Sequence, residues 1–172
     1  DPFAHRAAGS GLPPRPRNDA QLAALRAALD AGEQPDLSLA YGGSPPERER
    51  LARSLLAALR PPSVPAAAMT PWQHTALALA LHLDPRSLVP LLQDVHDGRD
   101  APRAEWLLTT AAVIVGTVPL DIARDMAPLL PPLLAAKNPA TALAAAQLTA
   151  IALPAGDLPD LRAAVAARAI TA

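Results

Sequence analysis

Between Leu88 and Gly116 the chain reads LVPLLQDVHDGRDAPRAEWLLTTAAVIVG, and its apolar positions fall into two helical runs around a polar corner. Leu88, Val89, Leu91, Leu92 and Val95 recur at helical spacing. Asp97-Gly98-Arg99-Asp100 then supplies a glycine able to take the left-handed conformation that closes a helix. Pro102 suits the first turn of the next helix, where its missing N–H is not needed. The residues from Trp106 to Val115 are apolar nearly all round, as in a helix sandwiched between neighbours.

The same punctuation extends in both directions. Asn18 or Asp19 is placed to cap a helix carrying Leu22, Leu25 and Leu29, which Gly32 ends. Ser44-Pro45-Pro46-Glu47 has the spacing of a capping box ahead of Leu51, Leu55, Leu56 and Leu59. Pro61, Pro62 and Pro65 form a seam. Beyond it, Thr70-Pro71-Trp72-Gln73 predicts a helix to Leu83, Asp84-Pro85 one to Asp97, and Pro102 one to Thr117. Pro119 starts a helix to Lys137 that Pro131-Pro132 would bend or split, Asn138-Pro139 one to Leu153, and Asp157 to Pro159 the last, to Ile170. The expected organisation is a Pro/Arg-rich, extended or disordered leader over 1–17 and an N-terminal helical pair over 18–62. Three helical hairpins over 70–172 would pack with that pair as one all-α domain.

The hairpins carry hints of a repeat. Val89-Pro90-Leu91-Leu92 returns as Ala127-Pro128-Leu129-Leu130 after 38 positions, while Trp72 to Trp106 and Pro85 to Pro119 are each 34 apart. Two helices per unit at this spacing belong among α-solenoid repeats. The stretch 88–116, with its PLL helix, short acidic turn, Pro102-Arg103 and Ala-rich apolar helix, resembles a HEAT repeat junction. The resemblance spans about residues 70–171 and implies stacked antiparallel hairpins; an irregular all-α bundle is the alternative. Met126 to Leu153 departs from the pattern, with no arginine after Pro139.

Composition sharpens this picture in a few places. Hydrophobic residues make up 51% of the 172 but aromatic ones only 2%, so the core must be built of Leu, Ala and Val. A net charge of −1 gives no bulk field to draw in nucleic acid or an anionic membrane. The excess of Ala, Pro and Arg matches a GC-rich bacterial genome. With no cysteine, disulfides, thiolate nucleophiles and cysteine zinc sites are excluded together. The longest apolar runs, 107–118 and 140–155, fall short of the ~20 residues a membrane span requires. A cytoplasmic location is the expectation, and the opening Asp1-Pro2-Phe3, without an initiator Met, suggests a processed form or a piece of something longer.

Candidate chemistry is sparse. His74, His82 and His96 lie within 23 positions near Asp84, Asp94 and Asp97, and a metal-dependent enzyme could be built on them. There is no HExxH pair, however, and Asp94, Asp97 and Asp100 lack the glutamate that closes an EF-hand, so no metal and no cofactor are expected. Tyr41-Gly42-Gly43-Ser44 lacks the lysine of a phosphate loop. Trp72 and Trp106 read as packing anchors, and Thr109 and Thr110 as bonding back to the preceding turn.

Two functional classes remain. A non-enzymatic interaction or scaffold module would present a row of second helices to a protein or peptide partner, or to flanking domains of a longer chain. Its surface would comprise Arg86, Gln93, Asp94, Asp121, Arg124, Asp125, Asp160 and Arg162, whose mixed sign disfavours nucleic acid. The alternative is nucleic-acid or phosphate-ligand binding through Arg48, Arg50, Arg53 and Arg60 together with the leader's PPRPR, which could otherwise serve as a polyproline ligand.

Overall fold

Proline placement explains where most helices begin. In the computed structural model, which describes residues 16–61 and 68–171, a proline opens α1 (Pro16–Asp30), α2 (Pro45–Ala58) and α3 (Pro71–Leu83). A 3-10 turn over Pro85–Ser87 leads into α4 (Leu88–Asp97), and α5 (Ala101–Ile114) has Pro102 at its second position. Then come α6 (Leu120–Met126), α7 (Leu130–Leu134), α8 (Pro139–Ala152), a 3-10 turn at Leu153–Ala155, and α9 (Pro159–Thr171). No strand occurs among the described residues, which are all-helical.

The caps agree with the sequence pattern in some places and depart from it in others. Thr70 forms the full capping box: its hydroxyl accepts from Gln73 N–H, and the Gln73 side chain accepts from Thr70 N–H. Asn138 accepts from Ala140 N–H. Ser44 caps nothing with its side chain, and Glu47 does not reach back to Ser44 N–H, which Asp19 accepts; it pairs with Arg50 (2.6 Å) and lies 3.7 Å from Arg26. Asp19 does not cap α1 either. That helix already starts at Pro16, and Asp19 instead accepts Ser44 N–H at 2.6 Å, fastening the entrance of α2 to the first turn of α1. The remainder of the leader, 1–15, lies outside the described residues.

Two predicted helices are shorter than their apolar pattern. The expected helix from Pro119 to Lys137 divides into α6 and α7 around a turn at 127–129. Pro131 and Pro132 have no N–H to give the carbonyls of Ala127 and Pro128, so the ladder cannot pass through them. The helix expected to reach Thr117 stops at Ile114. Val115 is extended (φ −70°, ψ 120°), and the chain stays out of helix as far as Pro119, which itself disfavours helix in the residue before it. Because α5 begins at Ala101, Trp106 sits in its second turn, whereas Trp72 sits in the first turn of α3.

Leucine and alanine fill the interior. Leu22, Leu51, Leu55, Leu77, Leu92, Leu107, Leu108, Met126, Leu130 and Leu148 are fully buried, with Ala52, Ala76, Ala80, Ala111, Ala123 and Ala145 between them. Small side chains at these contacts let helix axes approach closely. Packing proceeds in chain order: α1 lies on α2, and α2 on α3. Then α3 meets α5 and α5 meets α8, while α4 meets α6 and α7, and α7 meets α9. α4 also packs on α5, and α7 on α8. The two tryptophans are half-buried against this core, and Trp72 Nε1 donates to Pro35 O at 3.1 Å.

Candidate interaction surface

The corner before α4 and the first turn of α6 are joined on the outside of the molecule. Arg86 donates a charged hydrogen bond to Asp121, and its other guanidinium nitrogen lies 3.7 Å from Asp125. All three side chains are more than half exposed, so this bridge is solvated and contributes little to stability. Arg124 is exposed beside it, with no ion pair among the described residues. The structure therefore brings together Arg86, Asp121 and Asp125 of the eight sequence candidates, with Arg124 on the same short helix.

The other four stand apart. Gln93 and Asp94 belong to the end of α4: Gln93 donates to Asp97 (2.8 Å), and Arg99 lies 3.9 Å from Asp94 while also hydrogen bonding to Asp97. His96 Nδ1 completes the group, 2.9 Å from Asp97. These neighbours, His96 foremost, then Arg99 and Gln93, hold the Asp97 carboxyl down to about 2. The left-handed Gly98 (φ 68°) permits this corner by turning the chain back on the helix end. On α9, Arg162 pairs locally with Asp157 at 3.5 Å, and Asp160 is exposed.

The arginines of α2 do not form a single-sign patch. Arg50 is taken by Glu47, which Arg26 also approaches from α1. Arg53 and Arg60 are exposed and Arg48 half-buried, without ion pairs among the described residues. A basic residue with a definite structural task lies elsewhere: Arg103, in the first turn of α5, reaches the C-terminal end of α2. Its Nε donates to Leu59 O at 2.8 Å and its Nη2 to Leu56 O, which also accepts Leu59 N–H, so the guanidinium adds a charged donor at the helix end. Burial, followed by the nearby positive charge of Arg60, lowers its pKa, yet a guanidinium stays protonated. In the sequence this residue is visible only as the second half of Pro102-Arg103; nothing in its spacing identifies a partner 44 residues earlier.

Among the described residues, no three His, Cys, Asp or Glu side chains come together in a way that could hold a metal ion. His74 and His82 are exposed along α3, and His96 is engaged with Asp97. His82 instead lines an open groove of about 580 Å³ with Leu81, Pro85, Leu88, Ile114 and Pro119. The groove runs between the two corners that Arg86 and Asp121 bridge. No helix among the described residues is long and apolar enough to cross a membrane.

Compared with protein-family models, curated proteins and solved structures, the chain matches none.

Proposed function

We propose that this chain is a non-enzymatic interaction module whose working surface is the outward row formed by α4, α6 and α9, and that its hairpins stack as a short α-solenoid. The observation that carries the reading is the Arg86–Asp121–Asp125 bridge. It ties two consecutive second helices together on their solvent side and leaves Arg124 exposed next to it. The reading is supported by α3 packing on α5 and α5 on α8, with α4 on α6 and α7 and α7 on α9; the consecutive helices of 70–171 that pack on each other are α4 with α5 and α7 with α8. Such a stack presents continuous surface in place of a deep pocket. Mixed charge on that surface suits a protein or peptide, since the carboxylates of Asp121 and Asp125 would repel a phosphate backbone.

The test is affinity capture from the source organism with wild-type chain and with a double charge reversal, Arg124→Glu with Asp125→Arg. The expected result is a defined partner that the reversal loses and that an Arg53→Glu control keeps. Retention by the reversed protein, with loss by the control, would move the surface to α2. The nucleic-acid alternative is read in the same preparation: binding through α2 would appear in a gel shift and weaken steeply with salt. The interaction-module reading expects no shift.

A further inference from the structure

Residues 113–118 read Val-Ile-Val-Gly-Thr-Val, five β-branched residues in six positions. Such residues favour strands, where a pleated backbone gives their side chains room. Helix ends at Ile114, and the backbone carries neither turn nor bend from 115 to 119. Val115 N–H still reaches back to Ala111 O at 2.9 Å. Gly116, Thr117 and Val118, however, make no hydrogen bond through N–H or carbonyl among the described residues. Gly116 and Thr117 are exposed, and a Cβ on Gly116 would meet nothing within 4 Å, so the space beside this backbone is open. Residues 115–118 also line the groove of about 580 Å³, whose remaining lining comes mainly from α3 and the corner before α4, with Leu81, His82, Pro85 and Leu88.

We propose that this groove takes an uncharged, extended peptide segment of the partner, paired through its backbone to residues 115–118 as an added strand. A row of unpaired backbone donors and acceptors is complemented by another backbone, and an apolar lining by the alternate side chains of that strand. No carboxylate, lysine or arginine lines the groove, and His82 is its one titratable group. At its ends Asp84, Asp121 and Asp125 are set against Arg86 and the exposed Arg124, so neither sign dominates and an uncharged occupant fits. A second copy of this chain fits less well: its own 115–118 is backed by its own Pro85 corner and cannot enter as a lone strand. The inference rests on the reading of α4 and α6 as part of the partner-binding side, and names the form of the segment bound beside them.

Selection of a displayed library of short random peptides against the full chain tests this. Enrichment of uncharged sequences with apolar residues at alternate positions is expected, and N-methylation of alternate amides in such a peptide should abolish its binding in fluorescence anisotropy. Gly116→Pro combined with Thr117→Pro removes two backbone donors without removing a hydrogen bond of the fold, and Val115, at φ −70° and ψ 120°, already holds the conformation a following proline requires. This proline pair should weaken peptide binding at least about tenfold, and an alanine pair at the same positions less than about twofold, with helical circular dichroism unchanged in both. No enrichment, enrichment of charged sequences, or full binding by the proline pair or by the N-methylated peptide would overturn the proposal. So would a dimer of the chain that the peptide dissociates, since a second copy would then hold the groove. Arg124→Glu with Asp125→Arg lies outside the groove lining and should leave peptide binding intact. A captured partner retained by that reversal therefore counts against the outward row, whereas peptide retained by the proline pair counts against the added strand.

Discussion

Arg103 fastens the first turn of α5 to the C-terminal end of α2. It caps a helix of another element by donating to Leu56 O and Leu59 O. Truncation would take the donor from Leu59 O, leave Leu56 O with Leu59 N–H alone, and remove a cation from a helix C-terminus. Arg103→Met should therefore destabilise by about 2 kcal/mol, lowering Tm by roughly 4–8 °C in a thermal melt. A melt unchanged within a degree would mean that water replaces the guanidinium without loss. Asp97 makes the second residue-scale prediction. Its folded pKa lies below the ordinary 3.8, so the ionised carboxyl favours the folded corner at pH values above 3.8, and that contribution disappears as pH falls toward about 2. Side-chain carboxyl NMR should find Asp97 titrating near 2, and Arg99→Ala should move it upward. An ordinary midpoint in the wild-type chain would break the link between this corner and its charge. Glycine is required at Gly43: φ is 84°, and a Cβ there would run into the buried Leu22.

At the scale of elements, the sequence distinguishes helix starts well but cannot say which caps are used. Thr70-x-x-Gln73 and Ser44-x-x-Glu47 look alike in sequence, yet only the first closes. Glu47 has Arg50 and Arg26 to attract it, and Arg26 belongs to a helix whose position no local pattern reveals. Thr70→Ala should cost about 1 kcal/mol, while Ser44→Ala should be nearly neutral, as judged by urea denaturation midpoints. Equal losses would contradict the difference in geometry. The division of the 119–137 segment was legible in Pro131 and Pro132, since the missing donors are written in the residue type. The early end of α5 was harder to read: the apolar run through Val118 has helical composition, and the extended Val115 depends on the following Gly116 and on the corner that packs around Pro119.

Over the whole molecule, the all-helical class and the Leu/Ala core follow directly from periodicity and composition, because a chain with four aromatic residues has little else with which to fill its interior. The candidate surface was only partly readable. Arg86 meets Asp121 and Asp125 where the corners at Pro85 and Pro119 flank one groove. Gln93 and Asp94 were placed on the right helix, but they are consumed by the Asp97 corner, whose hydrogen bonds depend on side-chain directions. The proposed partner-binding surface is the row of α4, α6 and α9. Amide hydrogen exchange, compared between the free chain and the chain saturated with its captured partner, tests it most directly. Slowed exchange is expected in α4, α6 and α9, centred on Arg86 to Asp125; slowing confined to α1 and α2, with the row unchanged, would contradict it.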